Sequence, residues 1–200
     1  MVFNMQAPII LVLVTTLYNI VHSLAASNRS KTLARRWFGT GTDRWYRFVY
    51  NLWAGISFLP LLWLLLNLPD RTLYIIRMPW VLLTTGLQLA GAAIIVIGIL
   101  QTGTLSFIGI RQIFSPDQSP DTPLVTTGLY SFTRHPLYTG GLLIIWPMPI
   151  MTLNFLTLFI VWTIYLVVGA RLEEKRMVHA FGDPYRRYQE EVPMLIPRIR

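Results

Sequence analysis

Residues 136–170 read PLYTGGLLIIWPMPIMTLNFLTLFIVWTIYLVVGA, and none of them is Asp, Glu, Lys or Arg. A membrane-spanning helix needs about 20 predominantly apolar residues. The run of 35 is therefore too long for one span and slightly short for two full ones. Pro147, Pro149 and Asn154 interrupt its middle, and proline stops a helix because it lacks an N–H and crowds the preceding turn. The run predicts a short helix over about 136–150 turning into a longer one over about 154–172. Working outward, residues 1–28, 48–69 and 78–110 are also free of charged residues. Each is long enough for one span, the third over about 79–101. The expected fold is all-α: a polytopic integral-membrane helix bundle of about five transmembrane helices, the fourth short, with a cytoplasmic helical C-terminal tail.

The composition agrees. The 200 residues are 54% hydrophobic and 13% charged, about half the charged share of a typical soluble domain, and mean hydropathy is +0.50. The absence of cysteine removes disulfides, thiolate zinc sites, iron–sulfur clusters and a cysteine nucleophile. The net charge of +8 does not point to nucleic acid, because the cations follow membrane topology. Lys and Arg accumulate on the cytoplasmic side. With five crossings, fifteen of the seventeen fall on one face, chiefly in the 29–47 loop and in the tail after 170. The N-terminus is expected outside and the C-terminus in the cytoplasm. Residues 1–27 lack the positive start of a cleaved signal peptide, and the sequon at Asn28 would face the cytoplasm unused. The basic 29–47 loop, with Trp37 and Trp45, is expected against anionic lipid headgroups.

Polar information concentrates in two places. In TTGLYSFTRHPLYTGG (126–141), a proline at 136 favours a helix starting there with His135 at its cap. The N–H groups of Leu137, Tyr138 and Thr139 would then be free to attract an anion. Gly140 and Gly141 would admit a ligand or a neighbouring helix at close range. The competing reading is a plain helix cap with Arg134 reaching lipid phosphate. In ARLEEKRMVHAFGDPYRRYQEEVPMLIP (170–197), Glu173 and Glu174 fall where the long helix is expected to end. Carboxylates there oppose the helix dipole, and Lys175, Arg176 or Arg134 would have to compensate them. Phe181-Gly182-Asp183-Pro184 reads as a turn, and Tyr185 and Tyr188 would share one face of a short helix. His179 lacks HExxH spacing and enough neighbours for zinc, so no metal is expected.

Gly-Leu-Tyr, then Arg-His-Pro-Leu-Tyr-x-Gly, then Glu-Glu, then Phe-Gly-x-x-Tyr-x-x-Tyr and a terminal Ile-Pro follow one another over about 128–197. That ordered set resembles the integral-membrane methyltransferases, among them isoprenylcysteine carboxyl methyltransferase and the phospholipid N-methyltransferases. The N-terminal half is similar to the NnrU-type branch: His22-Ser23-Leu24-Ala25, Tyr46-Arg47-x-x-Tyr50-Asn51 and Gly109-Ile110-Arg111-Gln112. That branch holds thiol methyltransferases similar to methanethiol S-methyltransferase, and also a haem-dependent carotenoid isomerase.

The resemblance implies one domain over 1–200, with a three-helix part at 1–110 and a cofactor-binding part at 111–200. It implies S-adenosylmethionine held by Tyr130, Arg134, His135, Pro136, Tyr138 and Gly140 on one wall and by Glu173, Glu174, Tyr185 and Tyr188 on another. Arg134, His135 and Glu174 are the expected catalytic residues: Arg134 to orient a carboxylate, Glu174 or His135 to take a proton from a thiol or amine. The expected acceptor is small or lipophilic, a thiol, a prenylcysteine carboxylate or a phospholipid amine. Without GxGxxG after a strand, a soluble Rossmann methyltransferase is excluded. The alternative is a haem protein with His22 and His135 as axial ligands. A scaffold or small transporter is a weaker reading, because a transporter usually places ionisable groups at mid-membrane.

Overall fold

The computed structural model describes residues 6–102 and 124–197. The Gly109-Ile110-Arg111-Gln112 motif and residues 111–123 of the connector lie outside them. In chain order the elements are α1 (Gln6–Ala25), α2 (Asn28–Phe38), α3 (Thr42–Asn67), β1 (Thr72–Ile75), α4 (Trp80–Thr102), a 3-10 turn (Gly128–Ser131), α5 (Pro136–Ile145), β2 (Ile150–Thr152), α6 (Leu153–Phe181) and α7 (Asp183–Glu191). They form two compact units. One comprises 6–71 with 152–161, the other 72–102, 124–151 and 162–197.

In the first unit, the buried residues of α1 include Ala7, Leu11, Thr15 and Asn19. Steps of four keep them on one stripe of the helix. Polar side chains tie α1 to α3. The Tyr18 hydroxyl donates to the Ala54 carbonyl at 3.1 Å, the Tyr46 hydroxyl donates to the Ala25 carbonyl at 2.6 Å, and Tyr50 Oη lies 2.7 Å from His22 Nε2. Away from the stripe, Leu13, Leu17 and Leu24 stay at least 60% exposed. Such a face suits hydrocarbon and not water. Ser27 caps α2 by accepting from the Ser30 N–H at 3.3 Å, and Gly39, at φ +82°, ends it. Where α6 begins, Asp70 Oδ1 accepts from the Asn154 N–H at 3.0 Å, and Asn154 Nδ2 donates to the Pro69 carbonyl at 3.2 Å. A carboxylate at a helix start is favoured by the dipole.

In the second unit, α4 and α5 pack backbone to backbone. A Cβ on Gly91 would sit 2.6 Å from the Gly140 carbonyl oxygen, and one on Gly140 2.7 Å from that of Gly91. Membrane helices pack closely through such small residues, having no hydrophobic effect to drive them together. Gln88 Nε2 adds a bond to the Ile144 carbonyl at 2.9 Å. At the other end of α6, α7 folds back. Tyr185, Tyr188 and Val192 are buried against Leu124, Met177, Val178 and Phe181, and Gly182, at φ +63°, makes the turn.

The protein is an all-α polytopic membrane bundle in its main features. Among the described residues, α1, α3, α4 and α6 are long and apolar enough to cross a membrane, and α5 is a shorter apolar helix. With ten residues, α5 is about 15 Å long, about half of a hydrocarbon core of about 30 Å. Four features depart from the sequence expectations. The expected 29–47 loop holds helix α2 (Asn28–Phe38) and the first turns of α3, which starts at Thr42 and not near 48. The fourth hydrophobic helix ends at Ile145 and not near 150. β1 and β2 pair as a two-stranded ribbon, where no strand was expected. Pro69 follows the end of α3 and Pro147 that of α5, and backbone groups outside a helix must pair elsewhere. Finally, α6 continues to Phe181 instead of ending near 172. Tyr185 and Tyr188 draw α7 back onto its last turns, so the charged stretch stays helical.

Candidate functional site

The second unit gathers the polar motifs into one cluster. Gly128 takes φ +65°, where a Cβ would meet the Gln101 side chain at 2.0 Å. Gln101 Oε1 instead accepts from the Leu129 N–H at 3.2 Å. Four residues beyond the 3-10 turn, His135 takes the non-helical cap geometry of φ −125° and ψ 66°, and Pro136 opens α5.

Arg134 is consumed internally. Its Nε donates to Glu174 Oε1 at 2.6 Å, and its Nη1 donates to the Gln189 carbonyl at 2.8 Å and to the Val192 carbonyl. Both side chains are about nine-tenths buried, at 10% and 12% exposure. Glu174 Oε2 accepts from Gln189 Nε2 at 3.1 Å. A buried pair of this kind contributes little net stability, but losing one partner strands a charge. The Glu pair therefore sits about two turns before the end of α6, and of the three cations considered in the sequence, Arg134 is the one that meets Glu174.

Glu173 is different. Its side chain is about half exposed. Glu173 Oε2 accepts from the Tyr138 hydroxyl at 3.0 Å and lies 3.8 Å from His135 Nδ1. The His135 and Tyr138 rings stack at 5.3 Å and 5°. His135 Nε2 approaches Glu174 Oε1 at 3.4 Å without hydrogen-bond geometry, and it remains a buried nitrogen without a partner. Burial holds the imidazole below its ordinary pKa of 6.5, and the two glutamates only partly offset this. The ring is neutral at pH 7, so these close contacts are not ion pairs.

The segment 192–195 crosses the start of α5. The backbone N–H groups of Arg134 and His135 donate to Pro193 and Met194 carbonyls at 3.0 and 3.2 Å. The Thr133 hydroxyl donates to the Met194 carbonyl at 2.9 Å and the Thr139 hydroxyl to that of Leu195 at 2.6 Å. The expected row of free donors is largely used up as well, since the Tyr138 and Thr139 N–H groups both donate to the His135 carbonyl. The side-chain roles of Thr133, Thr139 and Gln189 were missed in the sequence. Only the position of Gln189, one turn after Tyr185, hinted that it faces inward.

The remaining expected residues take supporting positions. Pro136 is buried, and Gly140 meets Gly91 of α4, so the space beside it serves helix packing. Tyr185 and Tyr188 are 2% and 6% exposed, with ring centroids 5.8 Å apart, and the Tyr188 hydroxyl donates to the Tyr130 carbonyl at 2.5 Å. Burial pushes the Tyr185 hydroxyl pKa well up and that of Tyr188 to about 12, so both remain neutral donors. Among the described residues no cluster suited to a metal occurs. In the first unit, His22 Nε2 is engaged by Tyr50, which occupies a nitrogen that a haem iron would need.

The chain is similar to known proteins. A family model described as Phospholipid methyltransferase matches residues 87–184. The chain is 32% identical to Methanethiol S-methyltransferase 1 of Bradyrhizobium diazoefficiens, across 96% of this chain and 67% of that protein. It is 31% identical to the Methanethiol S-methyltransferase of Pseudomonas deceptionensis, across 94% of this chain and 72% of that protein. Over 52% of each chain it is 30% identical to the Protein-S-isoprenylcysteine O-methyltransferase of Schizosaccharomyces pombe. No solved structure matches it. The haem-binding alternative finds no support among these relatives.

Proposed function

Because the chain belongs to the superfamily of phospholipid and isoprenylcysteine methyltransferases, on its methanethiol S-methyltransferase branch, and is a membrane methyltransferase, we propose that it uses S-adenosylmethionine to methylate a small thiol. The observation that carries this reading is the charge left over at the site. Arg134 and Glu174 neutralise each other, His135 is neutral, and half-exposed Glu173 retains one negative charge. A donor with an ammonium, a sulfonium and a carboxylate carries one net positive charge, which Glu173 balances. Loss of the methyl group removes that charge, so the site's hold on the spent donor weakens.

The buried Nε2 of His135, without a partner, supports the same reading, since it is a polar atom awaiting a ligand. When bound, the donor supplies a methyl group on a sulfonium, already activated for in-line displacement. The chain's own task is alignment, exclusion of water and removal of the thiol proton. His135 Nε2 is the base in this reading. Glu174 is unsuited because both its oxygens are engaged. Tyr130 and Tyr138 flank the donor, and Glu173 meets its ammonium. Arg134, Glu174, Pro136, Gly140, Tyr185 and Tyr188 hold this wall in place. The thiol is favoured over a prenylcysteine or phospholipid acceptor by the two relatives matched over most of their length.

The distribution of Lys and Arg supports a cytoplasmic C-terminus, which puts the site on the side where the donor is made. One methyltransferase domain over 1–200 fits this reading. The test is to supply the purified protein with methyl-labelled S-adenosylmethionine and, separately, methanethiol, a prenylcysteine and phosphatidylethanolamine. The expected product is volatile dimethyl sulfide. Label transferred only to the prenylcysteine or the phospholipid would overturn the thiol assignment.

A further inference from the structure

The basic segment after α1 takes no part in the site chemistry, yet its order is specific. Residues 28–47 carry six cations against one acid, Asp43, and α2 has no buried residue. Its cations divide into two sets. Lys31 Nζ lies 3.6 Å from Asp43 Oδ1 and Arg35 Nη1 3.5 Å from Asp43 Oδ2, so this pair is turned toward the start of α3. Arg29 and Arg36, two turns apart, line a shallow concavity on another side of α2 together with Asn28, Thr32 and Leu33. Trp37 and Phe38, both more than 70% exposed, follow directly.

We infer that this Arg29–Arg36 face binds the phosphate of anionic lipid headgroups, with Leu33 and Trp37 entering the acyl boundary beside it. The position of α2 argues for a lipid. Two helices long and apolar enough to span, α1 and α3, end and begin within four residues of it. That connectivity holds α2 at the level where bilayer meets water. There a guanidinium meets phosphate as a bidentate donor, and an indole sits with its apolar body in lipid and its N–H in water. Free phosphate fits less well, because a concavity on one helix cannot enclose it and it would make no use of Leu33 or Trp37.

The test uses the full chain in mixed micelles of phosphatidylglycerol and phosphatidylcholine, with retained lipids counted by native mass spectrometry. Wild type is expected to retain phosphatidylglycerol preferentially. In R29Q/R36Q the preference falls about tenfold or more, since each cation near an anionic surface contributes substantially. In K31Q/R35Q, whose two cations face Asp43 and are offset by it in part, the preference falls clearly less than in R29Q/R36Q. R29K/R36K keeps the charge without the bidentate fork, so it retains only part of the preference and loses that part at lower salt than wild type. A lysine variant that matches wild type at every salt concentration would overturn the inference even if the glutamine variant fails to fold. An unchanged preference in R29Q/R36Q, equal losses in both glutamine doubles, or release of phosphatidylglycerol by excess inorganic phosphate would each overturn the inference.

Discussion

The two units each contain a histidine beside a tyrosine, and the two pairs are built differently. In α1, His22 Nε2 is joined to the Tyr50 hydroxyl at 2.7 Å, and the pair fastens one helix to another. At the start of α5, His135 lies flat against the Tyr138 ring. The Tyr138 hydroxyl goes to Glu173, and His135 Nε2 is left buried without a partner. A buried polar atom with its bond made is structure. One without it carries a cost that folding alone does not repay, and a ligand is the natural partner.

That contrast can be broken most severely at Arg134. Arg134→Ala leaves Glu174 buried without its cation and removes the donor to the Gln189 and Val192 carbonyls. A loss of about 3–5 kcal/mol is expected, seen as a large fall in melting temperature in detergent together with loss of transfer. The histidines come next. His135→Gln should lower kcat/KM for transfer at least about a hundredfold with little change in melting temperature. His22→Phe should lose about 1 kcal/mol of stability and keep its activity per folded molecule. Equal effects of the two variants on activity would erase the distinction between the pairs.

Gln189→Leu is a milder probe. It frees Glu174 Oε2 and should cost about 1–2 kcal/mol. Because it leaves Glu173 and His135 in place, donor affinity measured by calorimetry with S-adenosylmethionine should change by less than it does in Glu173→Gln. The smallest effect concerns pH. The folded pKa of His135 lies below the unfolded value of 6.5. Its contribution to stability is therefore present above 6.5 and is lost as pH falls toward the folded value. With His135 as base, the acid limb of the rate profile falls below 6.5. An acid limb above 6.5 would remove His135 from that role.

The spans were legible because lipid imposes a simple rule: a helix crosses where about 20 residues lack charge. The cap at His135, the start of α5 at Pro136 and the break at Gly182 were legible for local reasons, since proline and glycine constrain their own backbone. The Tyr185–Tyr188 pair was legible from its spacing. The roles inside the site were not. Glu173 and Glu174 are neighbours of identical chemistry, yet one is neutralised by Arg134 and the other is half exposed. Gly140 looked as suitable for a ligand as for a helix, and Gly91 took the space. The N–H donors of Tyr138 and Thr139 looked free until the His135 carbonyl was in place.

By itself, then, the amino-acid order determined which stretches are apolar enough to enter lipid, where α5 starts and which residue types gather near 134–138 and 173–188. These depend on local backbone preference and on the cost of leaving water, both of which act along the chain. Only the tertiary structure decided which carboxylate is neutralised, which histidine nitrogen is satisfied and which glycine face is filled. Those outcomes depend on hydrogen-bond directions and distances of a few ångströms between residues 40 to 60 positions apart, and no local rule along the chain carries that information.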